Sequence, residues 1–240
     1  MMIGGLEKLT LLDYPEHLAA IIFTQGCNFR CHFCYNPSLV LSPANWQKRS
    51  KENKSLSIDL DELFVFLKTR YGKLEGVVIT GGEPTLQPDL PEFIRKIKKI
   101  GYLVKLDTNG TNPNMLQNLL AEKLIDYLAM DLKAPLAKYA TVVGAEVDCQ
   151  KIKKSVKIIM ASGLPYEFRT TVVPGLLTAT DIKAMGQLIK GADKWYLQKF
   201  KSDTPLVDDT YQAAAAYSDQ QMTAFAALGA QAVKLCALRF

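Results

Sequence analysis

Three cysteines crowd into one short stretch, Cys27-Asn28-Phe29-Arg30-Cys31-His32-Phe33-Cys34, directly after the run Ile21-Ile22-Phe23-Thr24-Gln25-Gly26. The spacing C-x3-C-x2-C puts three thiolates on a loop at the end of an expected buried strand. Such a set can hold three corners of an iron–sulfur cube. Full cysteinyl ligation takes four cysteines, so three would leave one iron open to a substrate or cofactor. A cluster that only passes electrons has little use for that opening, whereas one that does chemistry needs it. Structural zinc is the competing reading, because zinc accepts Cys and His ligands. His32 is its candidate fourth ligand, but it sits between Cys31 and Phe33 and would strain a tetrahedral site. Two disulfides among five cysteines fit poorly with a long chain, no expected secretory signal and three cysteines on one loop.

The thiols need a scaffold, and the rest of the chain supplies an alternating one. Residues 1–17 suggest a short strand or hairpin arm, and Leu18 to Thr24 a strand. Helical or strand periodicity then predicts a helix over 58–70, a strand at 77–79, a helix over 90–100, and a strand over 103–106. A helix over 115–121, a strand over 125–130, a helix over 152–161, and a strand over 168–173 follow. The series ends with a helix over 181–191, a strand at 195–197, a helix over 219–228 and an edge strand over 233–238. The polar, basic stretch 38–57, with Pro43, Lys48, Arg49, Lys51 and Lys54, reads as a solvated loop. Strands alternating with helices imply a mostly parallel sheet. Six such strands are too few for a closed eight-unit barrel but enough for an open one. We therefore expect one α/β domain over 1–240: an arm (1–17), a barrel core (18–200) and a C-terminal helix with an edge strand (201–240).

Composition excludes little beyond this. Apolar residues make up 48% and charged residues 22%, as in ordinary globular proteins. No apolar run approaches a membrane span, and a cytoplasmic home is expected. The net charge of +5 is mild and comes without a nucleic-acid recognition motif, so neither nucleic acid nor membrane is an expected partner. Cys149 and Cys236 stand alone and read as buried small hydrophobes.

In parallel α/β folds, sites assemble from the carboxyl ends of the strands. Here those ends carry the cysteines, then Thr80-Gly81-Gly82-Glu83-Pro84, then Asp107-Thr108-Asn109-Gly110, then Asp131-Leu132-Lys133. Arg169 lies in the next strand, and Gln198-Lys199-Phe200 ends the one after. Each has a bland explanation as turn, cap or surface pair; together on one rim they are hard to dismiss.

At this point the chain resembles a known family. Cys27-x3-Cys31-x2-Cys34 with Phe33 before the last cysteine, followed by Gly81-Gly82-Glu83-Pro84, looks like the radical S-adenosylmethionine superfamily. Phe23 to Cys31, Tyr35-Asn36-Pro37, Asp107-Thr108-Asn109-Gly110 and Asp131-Leu132-Lys133 resemble its glycyl-radical-enzyme activating enzymes. The likeness is greatest to anaerobic ribonucleoside-triphosphate reductase activating proteins, whose start Leu6-Glu7-Lys8-Leu9 and Leu12-Asp13-Tyr14-Pro15 also resemble. The resemblance spans about residues 3 to 200.

It implies a partial (β/α)6 TIM-like barrel and a [4Fe–4S] cluster on Cys27, Cys31 and Cys34. The open iron would bind S-adenosylmethionine, with Gly81, Gly82, Glu83 and Pro84 at the methionine amino group. Asp107 and Thr108 would line the cofactor, with a monovalent cation held there and at Asp131 in some relatives. Lys133 would neutralise the carboxylate or meet the ribose, Arg169 would be a second cation, and Phe33, Tyr35 and Asn36 would touch adenine. An electron from a flavodoxin- or ferredoxin-type donor would cleave the cofactor to methionine and a 5′-deoxyadenosyl radical, which takes a hydrogen from a glycine of a large partner enzyme. Tyr35 stands where many members have His. Gln198-Lys199-Phe200-Lys201 lacks the His that activators of pyruvate formate-lyase often carry, and no inserted ferredoxin-like domain is present. Two alternatives stand beside this reading: a small-molecule enzyme like 7-carboxy-7-deazaguanine synthase, and a non-catalytic zinc module.

Overall fold

The computed structural model describes residues 1–40 and 58–239. Most of the basic stretch expected as a loop therefore lies outside the described residues. The chain divides into two compact units: residues 1–28, 36–108 and 114–128, and residues 29–35, 109–113 and 129–240.

In the first unit, β1 (Ile3–Thr10) pairs antiparallel with β2 (Ala19–Thr24), giving the expected N-terminal hairpin. β2 then pairs parallel with β3 (Gly76–Gly81), and β3 with β4 (Leu103–Thr108). Ala19, Ala20, Ile22, Val77, Val78 and Ile79 are all buried, as strands covered on both faces must be. A short helix α1 (Pro37–Val40) follows the cysteine loop. The helix α2 (Leu60–Arg70) starts at Asp59, whose carboxylate accepts from the Asp61 and Glu62 amides at 2.9 and 3.0 Å. Asp59 is thus the cap, and such a cap contributes about 1 kcal/mol. The helix α3 (Leu90–Ile100) stops at Gly101, whose φ of 111° is open to glycine. The helix α4 (Pro113–Ala121) begins on a proline, which has no amide to leave unsatisfied.

β5 (Tyr127–Asp131) follows. In the second unit come α5 (Tyr139–Val143), α6 (Cys149–Met160), β6 (Tyr166–Val172), α7 (Ala179–Leu188), β7 (Lys194–Lys199), α8 (Asp219–Gly229) and β8 (Leu235–Arg239). β6, β7 and β8 pair in parallel. Trp195 on β7 is fully buried and donates its indole N–H to Thr170 Oγ1 at 2.9 Å. The expected edge strand is therefore a further parallel strand, reached through α8.

Two expectations need correction. The strands run past their apolar cores: Thr80 and Gly81 end β3, Asp107 and Thr108 end β4, and Asp131 ends β5. Main-chain pairing does not need an apolar side chain, and it continues to Thr24↔Gly81. These polar residues thus lie on the strands themselves, past the apolar runs that marked them. Cys149 and Cys236 are half-buried rather than buried. Cys149 opens α6 and contacts the Leu136 carbonyl at 3.5 Å, and burial pushes the Cys236 thiol up to about 11.

Candidate functional site

In the first unit the end of β2 and the end of β3 are joined by main chain. The Gly82 amide donates to Thr24 O at 2.9 Å and the Glu83 amide to Gly26 O at 2.8 Å. The Gly26 amide donates in turn to Leu39 O at 2.8 Å, so the peptide before Cys27 is held on both sides. A Cβ on Gly82 would overlap the Gly26 carbonyl, and one on Gly81 would overlap the Thr24 backbone. Glycine is required at both for this close approach. Glu83 is buried, and its Oε1 accepts from the Thr85 amide at 3.1 Å and from Thr108 Oγ1 at 2.7 Å. It caps the short 3-10 turn Pro84–Leu86 and ties the end of β3 to the end of β4.

One residue from Thr108, Asp107 meets a lysine. Lys105 Nζ donates to Asp107 Oδ1 at 2.5 Å from a fully buried position and lies 5.8 Å from the centre of the Tyr127 ring. A buried ammonium needs such a partner. Asn36 serves the backbone: its carbonyl accepts from Leu39 and Val40 at 3.0 and 3.2 Å, starting α1.

The second unit holds Cys31 and Cys34, joined by a turn in which the Cys34 amide donates to Cys31 O at 3.1 Å. Phe33 between them is buried. The ring of Tyr35 stacks on Phe200 at 6.3 Å, and its hydroxyl accepts from the Lys201 amide at 2.8 Å. His32 is engaged elsewhere: its Nδ1 is 3.0 Å from Asp208 Oδ2, and its ring stacks on Tyr211 at 5.7 Å.

Asp131, Lys133 and Arg169 form one ionic group in this unit. Arg169 Nε and Lys133 Nζ each donate to a different oxygen of Asp131, both at 2.9 Å. Burial is the largest influence on Asp131 and pushes its carboxyl up, but Arg169 and Lys133 outweigh it and hold the group well below the usual carboxylate range. Burial likewise works to lower Lys133. Asp131 and then Cys31 lead the influences that overcome it, with Cys34 adding to them, and the ammonium is held above the usual lysine range. All three groups are therefore ionised at neutral pH, and Lys133 lies within the electrostatic reach of two of the cysteines. The Tyr139 hydroxyl accepts from the Lys133 amide at 3.3 Å.

Three thiols within one eight-residue stretch are donors of the type an iron–sulfur cluster takes. None of the five cysteines forms a disulfide. Among the described residues no three His, Cys, Asp or Glu side chains gather as ligands of a single ion. Reading the sequence missed Lys105, Tyr139, Asp208 and Tyr211. Lys105 had a signal, a lone charge inside the apolar strand Leu103 to Leu106; Asp208 had none, because its partner is far away in the chain. Among the described residues no helix is long and apolar enough to cross a membrane.

Comparison with known proteins adds to this geometry. The profile of the Radical SAM superfamily matches residues 21–186. A Methanocaldococcus jannaschii protein, named as a glycyl-radical enzyme activating enzyme, is 36% identical over 205 residues, covering 83% of this chain and 80% of its own. The pyruvate formate-lyase-activating enzyme of Streptococcus mutans is 26% identical over 199 residues, covering 79% of this chain and 72% of its own. The crystal structure of coproporphyrinogen III oxidase from Escherichia coli, described as a radical SAM enzyme, aligns over 92% of this chain with a TM-score of 0.59 and 14% identity. The chain spans 54% of that protein, and the likeness is one of fold, the partial TIM-like barrel.

Proposed function

Because this chain belongs to the radical S-adenosylmethionine superfamily and is an enzyme of that class, we propose that it activates a glycyl radical enzyme, most specifically anaerobic ribonucleoside-triphosphate reductase. The observation that carries the reading is the 36% identity, over most of both chains, to a protein named for that activity. The choice of reductase rests on the resemblance of the N-terminal motifs and on Gln198-Lys199-Phe200.

Cys27, Cys31 and Cys34 would hold the [4Fe–4S] cluster that the family implies. With S-adenosylmethionine bound there, the chemistry supplied would be one-electron cleavage of its sulfonium carbon–sulfur bond, yielding methionine and a 5′-deoxyadenosyl group able to take hydrogen from a glycine Cα. The chain's own residues bind, orient and keep water away. Gly81 and Gly82, which have no Cβ to stand in the way, would offer their peptide groups to the cofactor's ammonium, while Glu83 ties their strand end to Thr108. Lys133 and Arg169 offer positive charge to a carboxylate, with Asp131 fixing both. Phe33, buried between two ligands, would support the loop, while the more exposed Tyr35 and Asn36 would border adenine. A monovalent cation beside Asp107 and Asp131 is an accessory in this reading, since each carboxylate already meets a cationic side chain. A flavodoxin- or ferredoxin-type protein would supply the electron in the cytoplasm, where thiols stay reduced. The single-domain organisation over 1–240 is part of the same reading.

The test uses anaerobically reconstituted protein. We expect about four irons per chain, as a cubane requires, release of 5′-deoxyadenosine with dithionite and S-adenosylmethionine, and a glycyl radical signal once the reductase is added. Release of 5′-deoxyadenosine without any protein radical would point to a small-molecule substrate. Bound zinc without cleavage would overturn the reading.

A further inference from the structure

The segment that follows β7 does more than connect it to α8. Residues 207 and 208 run alongside the cysteine loop: the Val207 amide donates to Cys34 O at 3.2 Å and the Asp208 amide to His32 O at 3.0 Å. Two side-chain contacts fasten the same stretch. Asp208 Oδ2 is 3.0 Å from His32 Nδ1, and Tyr211 stacks on the His32 ring at 5.7 Å. One step earlier, the Lys201 amide donates to the Tyr35 hydroxyl at 2.8 Å, and Phe200 stacks on the Tyr35 ring. Leu206, next to the paired stretch, is fully buried. The strap therefore grips His32, Cys34 and Tyr35 through peptide groups, rings and one carboxylate.

Asp208 is the joint of this arrangement. Its Oδ1 accepts from the Thr210 amide at 3.0 Å and from Thr210 Oγ1 at 2.7 Å, which caps the 3-10 turn Asp209–Ala213 that carries Tyr211. Its Oδ2 faces His32. One side chain thus shapes the strap and ties it to the cysteine loop.

We propose that Asp208 is a positioning residue for the cluster: through the strap it fixes the peptide segment His32–Cys34 and so holds the Cys31 and Cys34 thiols in place for iron. The inference rests on the proposed role of those cysteines. His32, the one histidine among the three cysteines, is in this view a fastener rather than a ligand. The carbonyls of His32 and Cys34 are thereby satisfied by a segment distant in the chain, as main-chain acceptors require.

The test compares three variants of the reconstituted holoenzyme. Asp208→Ala removes the cap and the tie to His32. Asp208→Asn keeps an oxygen for Thr210 and an amide for His32. Val207→Pro deletes the amide donated to Cys34 O. Iron loss to a chelator is followed by absorbance, alongside thermal unfolding of the whole protein. We expect iron to leave Asp208→Ala and Val207→Pro about 10-fold faster than wild type, the size typical for partners of metal ligands. Asp208→Asn should stay near wild type, and the unfolding midpoint should move little in all three. Wild-type iron retention in Asp208→Ala would overturn the proposal, and so would equal loss from Asp208→Ala and Asp208→Asn. A wild-type protein that takes up no iron would instead overturn the proposed function itself.

Discussion

Asp131 shows how a single side chain can be read from its neighbours. Two cations hold it ionised against the pull of burial, so folding favours its charged form. Its pKa in the fold lies below the unfolded value of about 3.9. The stabilisation is therefore fully present above that value and is lost as pH falls through the folded pKa. Asp131→Asn should cost about 2 kcal/mol at pH 7, the scale of hydrogen bonds to charged groups, and much less near pH 2. Urea titrations at the two pH values would show it, and an equal loss at both would mean that the charge does not matter. The cysteines, the glycine pair and this aspartate stood out in the sequence because each is unusual at a strand end. Lys105 and Asp208 did not, since a lone lysine or aspartate acquires meaning only from a partner that folding supplies.

Among the elements, helices and strands were legible from their apolar periods, and their ends were not. β3, β4 and β5 each continue past their apolar runs into polar residues. The ladder of main-chain hydrogen bonds extends those strands, and it leaves no trace in side-chain pattern. The same main chain explains Gly82, where a Cβ would overlap the Gly26 carbonyl. Gly82→Ala should push the end of β3 from the cysteine loop and destabilise the protein by about 1–3 kcal/mol, as overpacking does. Denaturant unfolding together with S-adenosylmethionine binding by calorimetry would check this. Weaker binding with unchanged secondary structure is the expected pair of results. Unchanged stability and unchanged affinity would show that the joint yields without cost.

For the molecule as a whole, the alternation of strands and helices made the fold class legible, and the division into two compact units did not show in the sequence. Burial also acts on one thiol remote from the cysteine loop. Cys236, pushed up to about 11, should resist alkylation at pH 8, because the thiolate is the reactive form. Mass spectrometry of metal-free protein treated briefly with iodoacetamide should find Cys27 and Cys34 labelled well before Cys236; labelling of Cys236 at the same rate would contradict its placement.

The strap has a consequence for how the protein is made. His32 and Asp208 lie 176 residues apart in the chain. At about 5–20 residues per second a ribosome needs roughly 10–35 s to travel that distance. Throughout that interval the cysteine segment exists without the partner that fastens it, its three thiols facing whatever the cell offers. Iron delivered during synthesis would meet an unfinished cradle. On the proposed roles of these cysteines and of Asp208, the topology of the chain would order its biogenesis, with cluster insertion falling after synthesis has passed Asp208.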